Sequence, residues 1–169
     1  LPEWASPGHR PVMIGSNSAP IIADAYLKGN TKNKKTAEIL FEAMLKNATV
    51  EKGRPVRSVG REGLDYYNTL GYVPYDEDIR ENTAKTLEYA YADFTVAQMA
   101  KKMGKDSLAK KYYEQSFRYK NVFDPSTNLM RGKNKDGTFQ SPFNPLKWGD
   151  AFTEGNSLHY TWSVFQDIN

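Results

Sequence analysis

Near the end of the 169-residue chain, Thr153-Glu154-Gly155-Asn156 sets one carboxylate beside a glycine and an asparagine, and His159, Tyr160 and Trp162 follow within two turns. Such a group can hold a polar ligand and hand it a proton. Thr153 before Glu154 and Gly155 after it place the acid at the mouth of a helix, its side chain turned to whatever cleft the helix end faces. A carboxylate at a helix start also has a purely structural use, since it complements the free N–H groups and the positive end of the helix dipole. Two further acids sit in apolar company: Asp24 in Ile21-Ile22-Ala23-Asp24-Ala25-Tyr26-Leu27, and Glu88 in Thr86-Leu87-Glu88-Tyr89-Ala90-Tyr91. A mid-helix aspartate is disfavoured by propensity and, if buried, needs a partner, so Asp24 either serves a site or is locked in an ion pair. Glu88 is expected half-buried beside an apolar stripe, within reach of a cleft or a neighbouring helix.

The elements that must position these groups read as helices. Pro20 and Gly29 bracket a short one, proline suiting the first turn and glycine the residue past the last. Ala37, Leu40, Phe41, Met44, Leu45 and Ala48 repeat at the spacing of one core-facing helical face. A short helical piece spans about Glu62 to Leu70 and ends at Gly71. Thr83 is the expected N-cap of the longest helix, which Gly104 closes, with Leu87, Tyr91, Phe94, Ala97 and Met103 as its apolar stripe. Asp106 or Ser107 opens the next, with Ala109, Tyr112, Tyr113, Ser116 and Phe117 inward and an end near Asn121. Asn128 to Phe139, turning at Asp136-Gly137, suits a small hairpin. The expected fold class is all-α, with helical hairpins whose core includes Leu40, Phe41, Met44, Leu87, Tyr91, Phe94 and Tyr112.

Composition narrows the function classes. The chain carries 23 basic and 20 acidic residues for a net charge of +3, and its lysines are spread over helix surfaces without a basic stripe, so nucleic-acid binding is not indicated. There is no cysteine, hence no disulfide and no thiolate metal site. No apolar run is long enough for a membrane span, and Leu1-Pro2-Glu3-Trp4 lacks the features of a signal peptide, so the sequence reads like the middle of a longer chain. The acids Asp76-Glu77-Asp78 do not have the spacing of an EF-hand loop and are read as turn and helix-entry charges. Tyr91 through Pro125, two helices around Gly104-Lys105-Asp106, has the length of a tetratricopeptide unit, which would bind peptides without chemistry. No second copy follows at that period, and such arrays need several stacked units.

Six blocks in order carry a more specific likeness: Leu1-Pro2-Glu3-Trp4; Met13-Ile14-Gly15; Pro20 through Gly29; Gly71-Tyr72-Val73-Pro74; Thr86 through Asp93; and Thr153-Glu154-Gly155-Asn156. Together they resemble glycoside hydrolase family 92, exo-acting α-mannosidases found mostly in bacteria, of the α-1,2-mannosidase type. The resemblance runs from end to end of the chain. It implies that residues 1–169 are an internal part of an (α/α)6-barrel catalytic domain, completed by the remainder of a longer parent chain. The implied reaction is a calcium-dependent, inverting removal of terminal mannose from N-glycan-type α-mannosides, in a periplasmic or secreted protein.

On that resemblance Glu154 is the general acid. An inverting glycosidase needs one protonated carboxyl at the leaving oxygen and one carboxylate that activates water on the opposite face. Asp24, Glu88, His159 and Trp4 are the expected substrate-binding residues, with Asp24 sharing the cleft of Glu154, and Trp4 or Trp148 offering a sugar-stacking face. The sequence departs from the family pattern at Ser157-Leu158-His159 and Phe165-Gln166-Asp167. The family's general-base block, Asn-Asp-Asp, does not occur in these residues, so the base and most calcium ligands are expected elsewhere in the parent and the isolated chain is expected to be catalytically silent. A sugar-binding helical module without catalysis, or a peptide-binding repeat, is the alternative.

Overall fold

The computed structural model describes residues 14–31, 33–50 and 60–168. Trp4, with the first of the sequence blocks, lies outside them. Among the described residues the fold is carried by six α-helices: α1 Ser18–Leu27, α2 Lys34–Thr49, α3 Leu64–Thr69, α4 Asn82–Lys102, α5 Asp106–Gln115 and α6 Ser157–Thr161. A 3-10 helix, Ser116–Val122, prolongs α5, and the only named strands among the described residues are the two-residue β1 (Phe123–Asp124) and β2 (Leu129–Met130), paired antiparallel. The all-α class expected from the periodicity holds.

The centre is α4, against which α1, α2, α5 and the 3-10 helix all pack. Its expected single apolar stripe is too narrow a description. Thr83, Ala84, Thr86, Ala90, Asp93, Met99 and Ala100 are wholly buried, whereas Tyr91 and Phe94 are only half-buried. Small and hydroxylated residues let the neighbours come close on several sides. The hydroxyls keep their bonds inside the helix: Thr86 donates to the Asn82 carbonyl at 3.0 Å while accepting the Val73 N–H at 3.0 Å. On α2 the face is as expected, with Ala37, Phe41, Met44 and Ala48 buried and Leu40 and Leu45 packed at its margin. On α5 Tyr112 is buried, but Tyr113 faces outward. Gly71 and Gly104 take positive φ at the ends of α3 and α4, where a left-handed residue turns the chain out of a helix.

A buried ionic cluster fastens the segment before α3 to α4. Arg61 donates to Asp93 at 2.7 Å, Tyr67 donates its hydroxyl to the other oxygen of Asp93 at 2.9 Å, and Tyr67 meets Tyr89 edge to face at 5.5 Å. Every polar end is bonded, the condition under which a charge pair is tolerated in a core. Lys85 reinforces the same joint through Glu62 at 3.0 Å.

One expected helix start is corrected. Thr83 does not cap α4: Glu81 precedes the helix with φ 57, and backbone carbonyls of a distant loop accept at the helix start, Glu81 donating to Asp150 at 3.3 Å and Ala84 to Ala151 at 3.0 Å. Glu154 lies at the mouth of a helix as expected: Asn156 caps α6, accepting from Leu158 and His159, and Glu154 belongs to the loop just before it. The small turn at Asp136-Gly137 forms as expected, with an antiparallel bridge between Lys133 and Phe139.

Candidate active site

The loop carrying Glu154 is built on the start of α4. Its hinge residues are tied down: Gly149 donates to the Gly155 carbonyl at 2.8 Å and Phe152 to the Gly149 carbonyl at 3.1 Å, which closes residues 149–155 on themselves. Phe152 and Ala151 are buried in a cluster with Leu87, Val122 and Met130. Tyr160, on α6, stacks on Phe152 at 5.1 Å and donates its hydroxyl to the Thr153 carbonyl at 2.8 Å. The helix itself is held from beneath, because Thr161 accepts the Met130 N–H at 2.9 Å and Ser157 donates to the Met130 carbonyl.

Within this frame Asp150 and Glu154 both adopt left-handed backbone, φ 64 and φ 46. For residues with a Cβ that conformation costs roughly 1–2 kcal/mol each, and the surrounding hydrogen bonds offset it. The result is that Glu154 is exposed, and its carboxylate makes no hydrogen bond or ion pair among the described residues. Asp150 is the opposite case. It accepts from Lys147 at 2.9 Å, from Gln140 at 3.0 Å and from Tyr75 at 3.1 Å, so it organises the loop base and is not free to act on a ligand.

Glu154 lines a cleft of about 460 Å³ together with Tyr75, Glu77, Asp78, Arg80, Glu81, Trp148, Asp150 and Phe152. An open acidic cleft with aromatic side chains on its wall and the unengaged acids Glu81 and Glu154 can bind a polyhydroxylated ligand, and a carboxyl group there that carries its proton can hand it on. Among the described residues no group of three or more His, Asp or Glu side chains is arranged to hold a metal ion. Glu77 is paired with Lys135 at 2.9 Å and Asp150 with Lys147, which removes two of the cleft's acids from such a role.

The other expected site residues fall elsewhere. Asp24 is exposed and paired with Lys28 one turn on, at 2.8 Å, and it is not part of the lining of the Glu154 cleft. Glu88 is half-buried as expected, makes no hydrogen bond or ion pair among the described residues, and presses on Gly15, where a Cβ would stand 2.5 Å from its carboxylate oxygen. Burial alone pushes the Glu88 carboxyl above the ordinary carboxylate range. His159 is exposed and not part of the cleft lining: its Nδ1 accepts the Asn156 N–H at 3.2 Å, completing the α6 cap, and its ring meets Trp148 edge to face at 5.9 Å.

Sequence reasoning missed Arg80 and Glu81, and it read Glu77 and Asp78 as solvated charges although both reach the cleft wall. Glu81 in particular lies beside Glu154 in the lining with no hydrogen bond or ion pair at its carboxylate. A local signal was there in part, an acidic run just before a long helix. What brings it to Glu154 is the pairing of Glu81 and Ala84 with Asp150 and Ala151, some seventy residues away, which no local pattern encodes.

The whole chain, residues 1–169, matches the glycosyl hydrolase family 92 catalytic domain. It is similar to a solved family 92 inverting mannosidase from Bacteroides thetaiotaomicron, with a TM-score of 0.91 and 46% identity over 99% of this chain and 22% of that one. A second structure, a family 92 α-mannosidase from the same organism in complex with mannoimidazole, gives a TM-score of 0.81 and 33% identity, covering 93% of this chain and 20% of the other. An uncharacterized secreted glycosidase of Arthroderma benhamiae is 34% identical over 146 residues, 80% of this chain and 18% of that protein. The chain thus spans about a fifth of the length of the relatives it matches. With its full length matched and its fold shared at this identity, the chain belongs to glycosyl hydrolase family 92.

Proposed function

We propose that the protein containing these residues is an exo-acting α-mannosidase that releases terminal mannose from N-glycan-type α-mannosides with inversion, and that Glu154 is its general acid. The observation that supports this reading most directly is the exposed carboxyl of Glu154, without a hydrogen bond or ion pair among the described residues, in a cleft it shares with Glu81 and an exposed tryptophan. Kinship to an inverting mannosidase and to an α-mannosidase that binds mannoimidazole supports the substrate class. Family membership disfavours the peptide-binding repeat and the non-catalytic module.

In this reading residues 1–169 form part of an (α/α)6 barrel, and the general base comes from the remainder of the parent. Inversion places the two carboxyl groups about 6.5–9.5 Å apart, with room for the attacking water. Asp93, buried against Arg61, is unsuited to that task, and Asp150 is held by three donors. In the same reading, ligands for the calcium ion implied by the family come largely from elsewhere in the parent, and no step is routed through it. Asp24, whose exposed ion pair with Lys28 is weak, and Glu88 stay available for sugar hydroxyls once the barrel is complete. His159 acts on the sugar through the wall it supports, and Trp4 is a further stacking candidate. A periplasmic or secreted location is supported by the secreted relative, and no helix among the described residues is long and apolar enough to cross a membrane.

The test is the stereochemistry of mannose release by the full-length parent from an α-linked mannobiose, followed by proton NMR. The β-anomer should appear first and then mutarotate. First release of the α-anomer would remove inversion, and no release would remove the mannosidase reading.

A further inference from the structure

Three separate stretches of the chain meet at Asp150. Its carboxylate accepts the Tyr75 hydroxyl at 3.1 Å and the Gln140 amide at 3.0 Å, and the same amide nitrogen donates to the Tyr75 oxygen at 3.0 Å, so the two donors brace each other. Burial, and the carboxylate beside it, push the Tyr75 hydroxyl above its ordinary range, which keeps it a donor at neutral pH. On the main chain, the Asp150 carbonyl accepts the Glu81 N–H at 3.3 Å, and the preceding Gly149 closes the segment onto Gly155. Glu154 rides on that closed segment. All of these bonds lie between residues 75 and 155 of this chain.

The donors are themselves set from outside the cleft. Gly132 lies against both: a Cβ there would stand 2.7 Å from the Tyr75 ring and 2.9 Å from the Gln140 amide oxygen. Backbone bonds lock that close approach, Tyr75 donating to the Lys133 carbonyl and Gln140 to the Gly132 carbonyl, each at 2.8 Å. Gly132 is not part of the cleft lining. The third donor, Lys147, is well exposed and adds little to the hold. A general acid works only when its proton is held at the leaving oxygen, and a displacement of about 1 Å can cost on the order of 10²-fold. We propose that Asp150 is the positioning residue of the general acid, that Tyr75 and Gln140 hold it, and that Gly132 is the glycine that lets both donors reach it. The inference rests on the assignment of Glu154 as general acid.

The test compares two substrates with the full-length parent: α-linked mannobiose, whose leaving oxygen needs the proton, and α-mannosyl fluoride, whose leaving group does not. Asp150→Asn suits the left-handed backbone of this position as aspartate does, yet turns an amide N–H group toward the donors. It should lower kcat for mannobiose relative to kcat for the fluoride by roughly 10- to 100-fold, with the mannobiose KM little changed. Gly132→Ala should give the same signature from outside the cleft. Tyr75→Phe keeps the ring and removes one donor, so the ratio should fall by roughly 2- to 10-fold. A merely structural role would depress both substrates alike. An unchanged ratio in Asp150→Asn would overturn the positioning role, and if that variant does not fold, an unchanged ratio in Tyr75→Phe would do so. Glu154→Gln reads the underlying assignment separately. It should depress mannobiose hydrolysis far more than fluoride hydrolysis, and if it depresses both alike the acid role fails and this inference with it, whereas that signature in Glu154→Gln without one in Asp150→Asn overturns the positioning role alone.

Discussion

Ala84, in the first turn of α4, donates its N–H to the carbonyl of Ala151 at 3.0 Å. Through that bond the loop bearing Glu154 serves as the cap of the longest helix, and the helix in return fixes the loop. Activity and stability are therefore coupled at one place, since whatever loosens residues 149–155 also frees the start of α4.

Tyr160→Phe isolates the loop's outer support. It keeps the stack on Phe152 and removes the hydroxyl that bonds the Thr153 carbonyl, beside Glu154. The loss expected is about 0.5–1.5 kcal/mol, with a fall in kcat larger than any change in KM. Chemical denaturation and steady-state kinetics of the full-length protein check it, and an unaltered kcat would show that this bond does not position the acid.

Asp93→Ala addresses the joint between α3 and α4. Removing one partner leaves the Arg61 guanidinium and the Tyr67 hydroxyl buried without their acceptor, and breaking such a pair costs about 3–5 kcal/mol. A melting temperature within a degree or so of the unsubstituted protein would contradict the burial of this cluster.

Glu88 makes a prediction about pH. Burial raises its carboxyl in the folded state above the unfolded value, so the folded protein holds that proton more tightly and stability falls as pH rises through the interval between the two values. Below the unfolded value, about 4.3 for a glutamate, nothing is lost. Glu88→Gln should then be more stable than the unsubstituted protein at neutral pH, with the difference vanishing as the pH falls below that point. Melts across pH test it, and a variant less stable at neutral pH would show that Glu88 acquires a cationic or donor partner.

The helices could be read from sequence because each carries its own punctuation: Gly71 and Gly104 end theirs, and Phe41, Met44 and Ala48 mark a buried face. The burial of α4 on several sides could not, since Thr83, Thr86 and Asp93 look polar in sequence and become internal only through partners such as Val73 and Arg61. Glu154 was legible as the carboxylate at a helix mouth, but the cap was not, because Asn156 two residues later takes it. Asp24 and Glu88 divide in the same way. Glu88 is half-buried as its stripe implies, while Ile22 and Ala23 turn inward beside Asp24 and leave the acid at the surface with Lys28.

The most direct measurement of the central claim is mannose release from α-linked mannobiose by the full-length parent carrying Glu154→Gln. Glutamine keeps the shape and much of the hydrogen bonding but cannot protonate the leaving oxygen, and general acid catalysis contributes about 10²–10⁴-fold. The account predicts a loss of that order in kcat with mannobiose binding largely retained. Turnover near that of the unsubstituted enzyme would contradict it and take Glu154 out of the acid role.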